Sequence, residues 1–372
     1  MHGRTGIAWK RLMILMFYND AFNIRWQAVR GGRIIAGQCQ YSPVWPDMVA
    51  ENIGGLEQIK AIGYFLHHGG QRIKKSAGFL TPQNFGELAK CVKFLPEYND
   101  LTCKIAAYWL KKLPGVSHVL LCDTAFFTKL PYSALNYAIP YQLQRQEIRR
   151  YGRFGLSHHW ITQQIQSRID APRAKVISVY LGDHTNISAL NGKKPMATSF
   201  GFTPVDGMLS LTGSGSIDPT IVFYLHAAGM SFKEINELLS QKSGFAALCG
   251  KKAGGLTAVL NAGKGEKTMA ARDFYCYNAA KWIGGFAAIL GGVDVLVFFS
   301  ERPEQFSGII YDVCRRFAFL GLKCGRFAGP APNSLVLSGK SSSVKVLCVK
   351  HSKWKVMEEN IAALLIKRRT ER

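Results

Sequence analysis

Asp123 ends an apolar run, "HVLLCD" at residues 118–123, and is the first residue with chemistry to offer. A carboxylate at the C-terminal end of a buried strand lies on the edge where open α/β sheets gather ligands, and there it can hold a cation or take a proton. It can equally close a turn or cap a helix, and its neighbours leave both roles open. The second candidate is the loop "VDGMLSLTGSGSIDP", residues 205–219. Backbone N–H groups of Gly213, Ser214 and Gly215 could cradle an anion, yet the loop carries no cation to meet a phosphate. Two histidine pairs, His67-His68 and His158-His159, invite a metal. Adjacent side chains on a strand face opposite ways, so each pair reads as packing or loop. By the same alternation Cys122 points away from Asp123, into the core.

These residues need a scaffold, and the hydrophobic pattern supplies one. Residues 12–18, 24–29 and "RIIAGQC" read as a strand meander turned by "RGG". A helical pattern starting at "MVAENIGG" leads to the apolar run that ends in His-Gly-Gly, "PQNFGELAKCVKFLP" has apolar residues at helical spacing, and "VSHVLLC" is a buried strand. The plan then restarts: "AKVISVYLGDHTNISALNGKKPMATSF" is strand, turn, strand and an "NGK" hairpin. Helices follow in "DPTIVFYLHAAGM", in "SFKEINELLSQKSG" with Ser231 and Glu234 at capping-box spacing, and in "MAARDFYCYNAAKWIGGFAAILGG". "VDVLVFFS" and "SSVKVLCVK" are late strands, and "WKVMEENIAALLIKRR" is a terminal helix with its basic residues at the end the dipole favours. Two halves on one plan predict a duplicated α/β fold with a cleft between them.

Composition limits the function classes. At 372 residues the chain is long enough for two cores. A hydrophobic fraction of 48% with 19% charged residues describes packed domains rather than a disordered chain. The formal net charge of +23 favours anionic partners, but the basic residues are dispersed, which argues against dedicated nucleic-acid binding. Nine cysteines include no CxxC and no zinc-finger spacing, so they read as reduced thiols. "LMILMFY" is too short for a signal peptide, and no apolar run reaches the roughly 18 residues of a membrane span, which predicts a cytoplasmic protein without membrane contact.

From about residue 120 to 325 the motif order resembles the acetate kinase (acetokinase) family, within the sugar kinase, Hsp70 and actin superfamily. The resemblance rests on "DTAFF", "ALNYAIPYQ", "IRRYGRFGLSH", "SFGFTPVDGM", "GSIDPTIV", "INELLSQKSGFAALCG", "ARDFYCYNAAKWIGGFAAILGGVDVLVF" and "VCRRFAFLGLK". Weaker matches are "YND" at the end of the first strand, "IGYFLHHGG", and the closing strand and helix. It implies duplicated actin-like (ribonuclease H-like) domains, the first over 12–150 plus 345–372 and the second, on the nucleotide side, over 151–344. It also implies ATP-dependent phosphorylation of acetate or a similar short carboxylate, with Mg²⁺ and ATP as cofactors and a homodimer as the assembly. By the same resemblance Asp123 matches the catalytic aspartate and Asn19 the asparagine that helps place Mg²⁺. Gly182, Ser214 and Gly215 fall in the nucleotide-side motifs, and Pro204 and His68 in the acyl pocket.

The same motifs are broken where cations belong. Phe65 stands at the position of one catalytic arginine, Gly213 at that of the second, and Phe154 at that of the catalytic histidine. Lys353 replaces a metal-associated carboxylate, "DAFN" replaces the "GSSS" turn after Asn19, and Asp183 and His184 replace residues of a lean glycine turn. "SERPEQ", residues 300–305, stands in place of an adenosine-side glycine motif, and Glu97 and Arg153 fill apolar acyl-pocket positions. Phosphoryl transfer depends on donors aimed at the phosphoryl oxygens, so these losses predict weak or absent activity, with a binding or regulatory homologue as the alternative. Arg25, Arg153, Lys193 and Lys194 are the cations that could substitute. Residues 1–11 have no counterpart in the family, and a start at Met13 or Met16 would begin just before the first strand.

Overall fold

The computed structural model describes residues 12–20, 23–166, 171–250, 255–257, 265–327 and 334–371. Residues 1–11 and Ala21-Phe22 of the "DAFN" turn lie outside the described residues. Contacts divide the chain into two units. The first holds the described residues through Thr128, then Gly155–Ser157 and everything from Lys353; the second holds Lys129–Phe154 and His158–Ser352.

The first sheet contains β1 (Met13–Asn19), β2 (Asn23–Arg30), β3 (Arg33–Gln40), β4 (Ile59–Leu66), β5 (Ala77–Phe79) and β6 (Ser117–Cys122), in the order β3-β2-β1-β4-β6-β5. β1, β2 and β3 form the antiparallel meander, β1, β4 and β6 run parallel, and β5 returns antiparallel along β6. β1 is covered on both faces and so reads as an unbroken apolar run, whereas β3 at the edge alternates between exposed and half-buried residues. Helix α1 (Trp45–Ile53) begins at Trp45-Pro46 and stops at Gly54 in the left-handed region.

Helix α2 (Pro96–Lys112) answers to no element read from the sequence. Its signals are ordinary: Pro96 in the first turn, Leu101, Ile105 and Trp109 four apart on the buried face, and Lys111 and Lys112 in the last turn. The helical reading of residues 82–96 breaks into a short helix, Phe85–Ala89, and a single 3₁₀ turn, Val92–Phe94.

The second sheet repeats the plan with β7 (Lys175–Tyr180), β8 (Asn186–Asn191), β9 (Lys194–Thr198), β10 (Val295–Ser300), β11 (Ser334–Val336) and β12 (Lys345–Lys350). Its order, β11-β12-β10-β7-β8-β9, is the first sheet's order read strand for strand from the other edge. Both sheets are therefore mixed, with a meander on one side, three parallel strands in the middle and a short antiparallel edge strand.

The remaining long helices are α3 (Gly155–Gln166), α4 (Thr220–Ala227), α5 (Phe232–Gln241), α6 (Glu266–Leu290), α7 (Ser307–Cys314) and α8 (Lys353–Thr370). The Ser231-Glu234 capping box opens α5 as its spacing predicts. His158 and His159 lie on α3, not on a strand; successive helix positions diverge by about 100°, so the pair still shares no face. The C-terminal piece of the first unit starts at Lys353 rather than 345, because Lys345–Lys350 hydrogen-bonds to β10 and only α8 joins the first sheet. Among the described residues no helix is long and apolar enough to cross a membrane.

Candidate active site

In the first unit the C-terminal ends of the parallel strands bring Asn19, Phe65, His68 and Asp123 to one edge. Asp123 follows β6 directly, is 2% exposed, and is fixed by its own N–H donating to Leu66 O at 3.0 Å. Its Oδ1 accepts the Leu156 N–H at 3.3 Å, in the first turn of α3, so the carboxylate meets the positive end of that helix. The helix-cap role left open by the sequence is thus filled.

Asn19 is equally committed. Its Nδ2 donates to Tyr98 O at 2.8 Å and its Oδ1 accepts from the Thr102 hydroxyl at 2.8 Å, so α2 takes both ends of the amide. His67 Nε2–H donates to Asn19 O at 2.8 Å. His68 is buried, accepts the Gly70 N–H at Nδ1 and lies flat on Phe94 with centroids 4.8 Å apart.

Phe65, read by resemblance as an arginine position, packs against Tyr18 at 5.0 Å and His67 at 4.9 Å. Tyr98 and Trp354 extend the cluster, and Lys353 holds its ammonium 4.3 Å from the Tyr18 ring. Arg25 pairs with Asp20 at 3.0 Å, and Glu97 is exposed in the first turn of α2.

In the second unit Phe154, read by resemblance as the histidine position, is part of a ring stack. Phe154 lies on Tyr180 with centroids 4.2 Å apart, although its φ of 58° is in a region that disfavours side chains. Arg153 lies over the Phe154 ring, 5.6 Å from its centroid. Tyr180 also covers Gly182: a Cβ there would press its ring at 3.1 Å, so the glycine makes room for a side chain of its own chain. Nothing in the composition of "YLGDHTN" singles out Tyr180, and its role emerges only when the stack is seen.

The structure brings Gly182, Ser214, Gly215 and Pro204 into one loop system, joined by Leu211 N–H donating to Asp183 O at 2.7 Å. Two of the three N–H donors that could face an anion are used internally. Gly213 N–H goes to Ser210 Oγ at 2.7 Å and Ser214 N–H to Leu239 O at 2.8 Å. Carbonyls of Ser210 and Leu211 accept from Phe245 and Ala246, capping the short helix Gly244–Cys249. Pro204 is half-buried in the same loop, which Asp206 anchors through Arg150 at 2.9 Å and the Tyr137 hydroxyl at 3.0 Å. Asp183 Oδ1 accepts Leu256 N–H at 2.8 Å.

Beneath this loop system, buried His158 donates from Nε2 to Asn186 Oδ1 at 2.7 Å and accepts at Nδ1 from the Ser178 hydroxyl at 2.9 Å. Burial holds its pKa down, to about 3, against a weaker raising effect of Asn186. It is a neutral structural histidine. Cys122 is likewise core, its thiol pushed up to about 12 by burial.

Mg²⁺ takes hard oxygen donors, but both ends of the Asn19 amide are bonded to α2 and Asp123 caps a helix. Among the described residues no group of three or more His, Cys, Asp or Glu side chains could hold a metal ion.

A profile of the acetokinase family matches residues 45–359. The chain belongs to the acetokinase family. Among this family's members, the acetate kinase of Coprothermobacter proteolyticus is 32% identical over 301 residues, 79% of this chain and 75% of the relative. The crystal structure of Porphyromonas gingivalis acetate kinase superposes with a TM-score of 0.83 at 24% identity, covering 96% of this chain and 99% of that one. A propionate kinase structure from Francisella tularensis gives a TM-score of 0.83 at 23% identity, covering 94% and 98%. The two mixed sheets of this acetokinase-family chain are therefore the duplicated actin-like fold, and the family's reaction is the acetate kinase reaction.

Proposed function

We propose that this acetokinase-family chain keeps the scaffold of an ATP-dependent kinase for acetate or a similar short carboxylate, while its phosphoryl-transfer activity is impaired to near background. The observation that carries this reading is that the surviving polar groups serve the fold. The Asp123 carboxylate caps α3, the Asn19 amide is bound to α2, and the Gly213 and Ser214 N–H groups close their own loop. The positions of two arginines and a histidine hold Phe65, Gly213 and Phe154. An arginine aimed at a transferring phosphoryl group is worth about 10³–10⁵ in rate and one oxyanion-type donor about 10²–10³, so even partial loss leaves little turnover.

In this reading the protein acts as a binding or regulatory homologue, and it forms a homodimer. Helix α4 supports the pairing: Phe223 and Tyr224 are 65% and 75% exposed and no residue of the helix is buried. Nine free thiols fit a reducing compartment, the cytoplasm. Mg²⁺ and ATP are the cofactors of the family reaction; here they are expected to leave the melting temperature unchanged.

One observation favours an active kinase instead: Arg153 lies beside Phe154 and brings a cation to the place of the missing histidine. A coupled-enzyme assay with ATP, Mg²⁺ and acetate, propionate or butyrate separates the readings. No acyl phosphate above the enzyme-free blank is expected. Turnover that Arg153→Ala abolishes would establish the relocated cation and overturn the proposal.

A further inference from the structure

β6 carries Asp123 after its last residue, and at its other end, about 20 Å away along the strand, the first unit contains a second feature. A cavity of about 610 Å³ opens there, within the roughly 300–1,000 Å³ span of small-molecule sites. Its walls include Phe79, Leu80, Leu110, Val116 and Leu364. Its rim has Lys75, Lys367 and Arg368 against one carboxylate, Glu371. That carboxylate lies 3.7 Å from Lys367 in an exposed pair, too weak to neutralise the rim. Lys74, Lys111, Lys112 and Arg369 are close in sequence to these lining residues and add to the positive field.

Helix ends attract cations, and that accounts for the basic last turns of α2 and α8. It does not account for Lys75, which comes from the segment before β5, or for the apolar walls. His118 also lines the cavity, but Tyr64 OH donates to its Nδ1 at 2.7 Å and its Nε2–H donates to Leu113 O at 2.9 Å. Burial lowers its pKa, so the positive charge at the cavity belongs to the lysines and the arginine. Arg368 lies 4.9 Å from the Phe79 ring centroid, which places a cation at the border between rim and wall.

We propose that this cavity binds an amphipathic anion, with a carboxylate or phosphate head at the Lys75-Lys367-Arg368 rim and an alkyl chain against Phe79, Leu110 and Leu364. The test is calorimetric titration of the full chain with sodium dodecanoate below its micelle concentration, using dodecyltrimethylammonium as the same-chain cation control. Dodecanoate is expected to bind and the cation not to bind. The exposed-site variant Lys75→Gln/Lys367→Gln/Arg368→Gln, checked for folding by circular dichroism, should weaken dodecanoate at least about tenfold. Leu110→Trp, which fills the cavity from the wall, should weaken it as well.

Vesicles of phosphatidylcholine and phosphatidylglycerol assign the source of the ligand. Flotation competed by dodecanoate assigns a lipid surface; dodecanoate binding without flotation assigns a free amphiphile, and either upholds the site. No dodecanoate binding, equal binding of the cation, or undiminished affinity in the triple variant would overturn it.

Discussion

The candidate-site residues of the two units are held in different ways. In the first unit polar atoms of Asn19 and Asp123 bond to Tyr98, Thr102 and the first turn of α3, beside a ring cluster of Phe65, Tyr18 and His67. In the second, rings stack over the turn, Phe154 on Tyr180 with Tyr180 over Gly182, and the Gly213 and Ser214 N–H groups close their own loop. A polar group can keep its place by serving the fold, because a buried polar atom without a partner costs about 1–3 kcal/mol.

The comparison can be broken first in the second unit, where the effects are largest. His158→Ala removes a fully buried ring and leaves the Asn186 and Ser178 partners unsatisfied; a loss of about 3 kcal/mol or more is expected by urea denaturation. The same histidine gives a pH signature. Its folded pKa is lowered to about 3 from an ordinary 6.5, so the unfolded chain takes up a proton that the folded chain refuses. The His158 contribution is therefore complete above about pH 6.5 and is lost as pH falls toward 3, by up to about 1.4 kcal/mol per pH unit. Urea midpoints at neutral pH and near pH 5 should show the slope, and His158→Ala should reduce it by the His158 share, the rest coming from His184, His159 and His118, whose pKa values burial also lowers.

In the first unit Asn19→Ala is expected to cost about 1 kcal/mol, because Tyr98 O loses the Asn19 amide donor while the Thr102 hydroxyl keeps Phe65 O as an acceptor at 3.0 Å. A variant equal in stability to the parent would mean that the α2 contacts are incidental. Gly213→Arg tests the loop: a Cβ there meets Ser210 Oγ at 2.7 Å, so the serine must turn away and give up the Gly213 N–H. A destabilisation of about 1 kcal/mol by thermal melting is expected, without recovery of activity.

Much of this fold was legible in the sequence, for reasons that separate particular elements. β1 and β10 are buried on both faces and give unbroken apolar runs, and the α5 capping box is a local signal. α2 answers to no element read from the sequence, although Pro96 in its first turn and Leu101, Ile105 and Trp109 four apart are signals that could have placed it. The motif positions were legible too, but their condition was not. A strand-end aspartate looks the same in sequence whether it faces a ligand or an N–H of α3, and the Tyr180-Gly182 contact depends on a ring lying back over its own turn. Such contacts are tertiary, and no spacing rule encodes them.

The account turns on whether the Asp123 carboxylate works for the fold or for the reaction. Asp123→Ala removes the carboxylate that accepts the Leu156 N–H, so one experiment, unfolding free energy and acyl phosphate formation measured on the same preparation, decides it. The expected result is a loss of about 1 kcal/mol, the worth of a helix cap, with the transfer rate of both proteins at the blank. Unchanged stability together with a parental rate that collapses in the variant would contradict it.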